Sequence, residues 1–159
     1  MAELDTGDKA PAFDVAADGG SRISLKGLKG RKAVLYFYPK DDTPGCTAES
    51  CAFRDNLPAF GKLDAQVVGI SKDSPASHDK FKAKYSLNFP LASDGDGSVC
   101  AAYGVWKEKS MYGKKYMGIE RSTFLIDEKG VIRQVWRKVK VDGHADEVMA
   151  ALKSLRKAA

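Results

Sequence analysis

Cysteine and histidine are both scarce in this chain. Its 159 residues include three cysteines (Cys46, Cys51 and Cys100) and two histidines (His78 and His144). An odd cysteine count argues against a disulfide framework. Neither histidine lies near a cysteine in sequence, and a zinc site needs about four ligands at recognisable spacing, so no metal site can be assembled. There is no C-x-x-C, which excludes a zinc knuckle or a dithiol pair of that spacing. No run approaches the ~18 apolar residues of a membrane span. The N-terminal MAELDTGDKAPAFDV lacks the basic and apolar regions of a secretory signal. A protein kept in a reducing cytoplasm, away from the membrane, is expected. Repeats, low-complexity segments and a phosphate-cradling glycine loop in a strand–helix context are missing too.

The composition is that of an ordinary globular protein, with 43% hydrophobic and 30% charged residues. The length suits a single domain over residues 1–159. The net charge of +5 is uneven, with 13 Lys+Arg against 7 Asp+Glu in residues 104–159 and 13 against 14 in residues 1–103. A basic third raises nucleic acid as a partner. Its basic residues are interleaved with acidic ones, so a solvated surface that steers acidic partners is preferred, and no nucleic-acid partner is expected.

Hydrophobic patterning predicts the elements. AVLYFY at 33–38 and AQVVGI at 65–70 are apolar runs suited to strands covered on both faces. Residues 44–60 read as a helix broken near Pro58. Ser74-Pro75 opens a helix to about 85 that buries Phe81 and Tyr85. A short strand is expected at 89–92 and a short helix at 97–103. STFLID at 122–127 and VIRQVWR at 131–137 must pair antiparallel around Gly130. A last helix over about 144–157 aligns Val148, Leu152 and Leu155 on one face. Residues 104–121 carry no clear pattern and are expected to be structureless, with Tyr112 and Tyr116 either rimming a pocket or standing in solvent. Trp106 and Trp136 read as packing residues. The order implies a mixed central sheet with helices on both sides. That is an α/β, thioredoxin-like architecture, with an N-terminal extension at 10–30 forming a small hairpin.

In such sheets, ligands meet the carboxyl ends of the strands, and YPKDDTPGCTAESC at 38–51 begins at one. Thr43 can cap the helix that follows, Pro44 suits its first position, and Gly45 permits close approach. Cys46 falls in the first turn, where free N–H groups and the helix dipole favour a thiolate. Local physics leaves two readings open: a reactive thiolate, or an inert cysteine in a well-capped helix. Cys51 lies five residues on. Helix geometry separates the two Cα atoms by roughly 8–9 Å, beyond the ~7 Å a disulfide tolerates. Any bond between them requires the first turns to unwind, so attack and resolution would occur in different conformations.

Pro39, Thr43 and Cys46 fit the P-x-x-x-T-x-x-C signature of peroxiredoxins. The string YPKDDTPGCTAESCAFRDN resembles their Q-type subgroup, also called bacterioferritin comigratory protein. The likeness continues through VVGISKDSPASHDKF, FPLASD, AYGVW and GIERSTFLIDEKG, from about residue 7 to 155. The resemblance implies a thiol peroxidase that takes hydrogen peroxide and organic hydroperoxides. Cys46 would be the peroxidatic cysteine, oxidised to sulfenic acid. Pro39 would shield the site, and Thr43 would place its hydroxyl on peroxide and thiolate. Arg121 would stabilise the thiolate and the shifting charge, with Glu49 orienting it. Cys51 would resolve the sulfenate as an intramolecular disulfide, re-reduced by thioredoxin or a similar dithiol. The helix after 75, where some members keep a resolving cysteine, has none. The subgroup implies a monomer without cofactor.

Three readings stand beside this one. A thioredoxin-like disulfide-exchange module would want C-x-x-C and a proline just before the third major strand, yet no proline follows Pro90. A metal-binding module would use Cys46, Cys51 and a histidine. A structural or chaperone-like role is not addressed by any motif here. Cys100, in GSVCAAYGV, is expected to be buried as a small hydrophobe, and His144 to flank the last helix.

Overall fold

A computed structural model describes residues 4–158. The chain opens with a small antiparallel hairpin, β1 (Asp14–Ala16) and β2 (Arg22–Ser24), and a short helix α1 (Leu25–Leu28). Strand β3 (Lys32–Phe37) then enters the middle of the molecule, and β4 (Ala65–Ser71) and β5 (Leu91–Ser93) follow it in parallel. On its other side β3 pairs antiparallel with β8 (Ser122–Ile126), which pairs with β9 (Ile132–Trp136). The five-stranded sheet has the order β5-β4-β3-β8-β9. It is the mixed sheet expected from the sequence. Gly130, at φ 84°, closes the β8–β9 turn.

Alternation along β3 divides the interior into two clusters. Leu35 and Phe37 face one that holds Leu25 and Leu28 of α1 and Val99 and Cys100 of α4 (Ser98–Ala102). Val34 and Tyr36 face the other. It takes Phe53 and Phe60 of α2 (Pro44–Lys62), Phe81 of α3 (Pro75–Tyr85), and Val148 and Leu152 of α5 (His144–Ala158). The amphipathic stripe read in the last helix is therefore its buried face. Two details fix α2 on the sheet. Gly69 sits opposite Tyr36 on β4, and a Cβ there would lie 2.8 Å from the Tyr36 ring and hydroxyl, so only glycine leaves that ring room. Tyr36 Oη in turn lies 2.8 Å from Ser50 Oγ of α2, a buried hydrogen bond that pins the helix one residue before Cys51.

Two expectations are corrected. The helix does not break at Pro58 but runs on to Lys62. Proline removes the N–H that would reach the carbonyl of Arg54, and the Asn88 side-chain amide donates to that carbonyl at 3.4 Å instead. Residues 104–121 are not structureless. They contain β6 (Trp106–Met111) and β7 (Lys114–Ile119), an antiparallel hairpin joined by Tyr112 and Gly113, both at positive φ. A two-residue loop of that conformation matches strand twist. Buried Val105 and Ile119 hold the base of the hairpin, while Tyr112 at its tip is 98% exposed. Trp106 and Trp136 are half-buried and pack against the two clusters. Among the described residues no helix is long and apolar enough to cross a membrane.

Candidate active site

The carboxyl end of β3 continues as a loop, residues 38–43, into the N-terminus of α2. Thr43 occupies the N-cap position in extended conformation and Pro44 the first helical position. The Thr43 hydroxyl does not cap the helix. It donates to the Lys40 carbonyl at 2.9 Å, drawing the loop into a tight turn, while the Thr43 carbonyl accepts from Thr47 N–H. Cys46 lies in the first turn of α2 and is fully buried. Pro39 and Thr43 are half-buried, and Pro44 and Gly45 are exposed.

Arg121 reaches this turn from 75 residues away in sequence. It immediately precedes β8, whose Ser122 pairs with Phe37, so the sheet register carries it to the end of β3. Its Nη2 donates to Cys46 Sγ at 3.1 Å and its Nη1 to Glu49 Oε1 at 2.7 Å. The approach depends on Gly45, where a Cβ would stand 3.2 Å from Arg121 Nη2. Glu49 follows Cys46 by three residues, on the same face of α2. It is buried, and its second carboxylate oxygen has no hydrogen-bond partner among the described residues. Burial pushes the Glu49 carboxyl up to about 7, against the pull of Arg121. Burial works against the Arg121 charge as well, but Glu49 and Cys46 outweigh it and hold the guanidinium more firmly protonated than usual. One cation thus divides its hydrogen bonds between a buried sulfur and a buried carboxyl. Such a site stabilises negative charge on the sulfur and on any oxygen beside it.

The structure brings Pro39, Thr43, Cys46, Glu49 and Arg121 to one end of the sheet. Cys51 stands apart, half-buried one turn further along α2, and all three cysteines are free. Cys100 is buried in α4, where its N–H donates to Asp94 Oδ2 at 2.7 Å. Burial pushes its thiol well above the usual range, which fits a small hydrophobe and no reactive role. His144 opens α5 and is buried, with Nε2 2.8 Å from Thr123 Oγ1. Burial lowers its basicity. Among the described residues no three His, Cys, Asp or Glu side chains cluster to hold a metal.

Two features of the site escaped the sequence. Lys109 of β6 lies within electrostatic reach of Cys46 and Arg121, and burial together with Arg121 lowers its basicity. It sat in the stretch expected to be structureless. The second is a buried network under the loop. Asp41 accepts from the Tyr38 hydroxyl and from Ser77 Oγ (2.8 Å), and its Oδ2 lies 2.7 Å from His78 Nδ1. His78 Nε2 faces the Ala92 carbonyl at 3.0 Å. The acidic pair in KDDT and the histidine in SPASHDKF were the available signals, but their partnership spans 37 residues of sequence.

Known proteins with this arrangement are closely similar. The AhpC/TSA family model matches residues 6–135. A putative peroxiredoxin Bcp of Coxiella burnetii is 57% identical over 149 residues, covering 94% of this chain and 99% of that protein. Peroxiredoxin Bcp of Bacillus subtilis is 49% identical over 152 residues, covering 96% and 97%. A crystal structure of a Cys-to-Ser mutant of Xylella fastidiosa PrxQ superposes with a TM-score of 0.93 at 42% identity, covering 98% of this chain and 99% of that one. The bacterioferritin comigratory protein of Xanthomonas campestris, in a structure concerned with its alkyl peroxide reduction, gives 0.86 at 52% identity and covers 89% and 90%.

Proposed function

The chain belongs to the AhpC/TSA family and is a peroxiredoxin of thioredoxin-like fold, and from that premise we propose that Cys46 is its peroxide-reactive thiol and Cys51 its resolving thiol. The observation that carries this reading is the 3.1 Å hydrogen bond from Arg121 Nη2 to Cys46 Sγ, braced on its far side by Glu49. The first turn of α2 adds backbone N–H groups to the same end of the sheet.

Peroxiredoxins reduce peroxides with electrons from a thiol reductant. In this chain the Cys46 thiolate attacks the terminal oxygen of a hydroperoxide. An S–O bond forms, the O–O bond breaks, and the leaving oxygen takes a proton and departs as water or an alcohol. Arg121 serves the thiolate before attack and the departing oxygen during it. Pro39 and Thr43 form the wall of the loop that meets the peroxide. Cys51 then displaces hydroxide from the Cys46 sulfenic acid, giving a disulfide and water. A dithiol protein such as thioredoxin returns both thiols by exchange. We read residues 1–159 as one peroxiredoxin domain, acting as a monomer in the cytoplasm.

Peptide mass analysis tests this directly. Tryptic peptide 41–54 contains both cysteines and no other. One equivalent of hydroperoxide on the reduced protein should yield that peptide lighter by two hydrogens. A Cys46 that gains oxygen while Cys51 stays free keeps the peroxidase and transfers resolution to an external thiol. An untouched Cys46 overturns the reading.

A further inference from the structure

The residues assigned so far lie on α2, on the loop before it and just ahead of β8. What holds the loop itself lies elsewhere. Residues 38–43 are anchored almost entirely to α3 and to the ends of β4 and β5. Asp41 N–H donates to Asp73 Oδ2 at 2.8 Å, and the Asp41 carboxylate takes the bonds from Tyr38, Ser77 and His78. Asp42, forced to φ 59°, accepts from Lys84 Nζ at 2.8 Å and from the Tyr85 hydroxyl at 2.7 Å. Of the α3 partners, His78 is wholly sealed from solvent and reaches two elements at once. Its Nδ1 lies 2.7 Å from the Asp41 carboxylate and its Nε2 lies 3.0 Å from the Ala92 carbonyl on β5, so each ring nitrogen faces an oxygen of a different element.

A side chain that only filled space here could be apolar. Burying a polar ring and a carboxylate carries a desolvation cost that their mutual hydrogen bond offsets only in part, so what the pair adds over an apolar filling is a fixed geometry. The geometry at stake is that of the loop, which ends at Thr43 where α2 begins. We propose that His78 is a positioning residue for the peroxide reaction, acting through Asp41 to hold loop 38–43 in the shape that presents Cys46 to its substrate. The proposal rests on the reading of Cys46 as the peroxide-reactive thiol. His78 touches neither sulfur nor peroxide, and its effect passes through the loop.

The two nitrogens make the proposal separable from simple packing. In His78→Asn the side-chain amide falls near the position of Nδ1, keeping the bond to Asp41 and losing the one to Ala92. In His78→Gln it falls near Nε2, keeping Ala92 and losing Asp41. Each variant is assayed for the rate of Cys46 oxidation by hydrogen peroxide and for the rate of Cys46 alkylation by iodoacetamide. Alkylation requires a thiolate but no ordered peroxide loop. His78→Gln should lose roughly tenfold or more in the peroxide rate, the scale expected for a displaced reacting geometry, with alkylation little changed. His78→Asn should keep the peroxide rate within about threefold, although the smaller side chain leaves a gap and makes it the less heat-stable of the two. The proposal is overturned if His78→Gln retains the peroxide rate, if His78→Asn loses it, or if peroxide and alkylation rates fall together. A wild-type chain that alkylates at Cys46 but does not react with peroxide overturns the reading of Cys46, and the anchor with it.

Discussion

Arg121 Nη2 lies 3.1 Å from Cys46 Sγ, although the two residues are 75 positions apart and belong to different elements. The contact is built by pairing. The β3–β8 register sets Arg121 beside the end of β3, and the loop after β3 delivers Cys46 to the same place. Substituting Arg121 with Ala should slow the reaction of Cys46 with peroxide by roughly a hundredfold or more, the effect of removing one preorganised donor. Arg121→Lys should recover only part of this, because an ammonium cannot bond sulfur and carboxylate in one rigid fork. Stopped-flow oxidation of the reduced variants measures both. A rate within threefold of wild type for Arg121→Ala would remove the arginine from the mechanism.

Cys46→Ser should abolish turnover. Cys51→Ser should leave the first oxidation at its normal rate and stop recycling by thioredoxin. Peroxide consumption coupled to thioredoxin oxidation distinguishes these, since the second variant should give one burst and then halt.

Glu49 carries a pH signature. Its carboxyl, pushed up to about 7 by burial from an ordinary 4.5, binds its proton more tightly in the folded chain than in the unfolded one. The folded state therefore holds its full advantage below about 4.5 and loses it as pH rises through 7. The loss is on the order of 3 kcal/mol at most. Glu49→Gln removes this titration while its amide oxygen can still accept from Arg121. Urea unfolding at pH 5 and pH 8 should show a flatter dependence in the variant, with its gain over wild type appearing at pH 8. A parallel pair of curves would contradict the assignment.

Oxidation should also change the backbone. The Cys46–Cys51 disulfide cannot form along an intact helix, so amide exchange in the disulfide form should rise across residues 44–52 and stay slow over 56–62. Continued protection of the first turn would exclude that disulfide.

Much of this was legible because apolar runs and turn residues speak locally. Strands β3, β4, β8 and β9, the α3 start at Ser74-Pro75 and the buried stripe of α5 all follow from periodicity. The β6–β7 hairpin did not, because its strands carry lysines where a buried strand would carry alternating apolar residues, and Tyr-Gly is a weaker turn signal than Asn-Gly. Pro58 misled because the compensating donor, Asn88, lies 30 residues away in sequence. At the site, the P-x-x-x-T-x-x-C motif named Pro39, Thr43 and Cys46, the resemblance around GIERSTF named Arg121, and the family likeness named Glu49. The Tyr38–Asp41–His78 network could not be read, since its members are ordinary residues that become partners only once α3 is packed under the loop.

The bond between Tyr36 and Ser50 sets a direction for the proposed cycle. It fastens α2 to the sheet immediately before Cys51, so the strip of chain free to peel away runs from Pro44 to Glu49 and carries Cys46 with it. Cys46 is then the traveller and Cys51 the berth. A sulfur that departs carrying its oxygen also leaves Arg121 behind. In that cycle the group that serves the first peroxide would be out of reach when a second arrives.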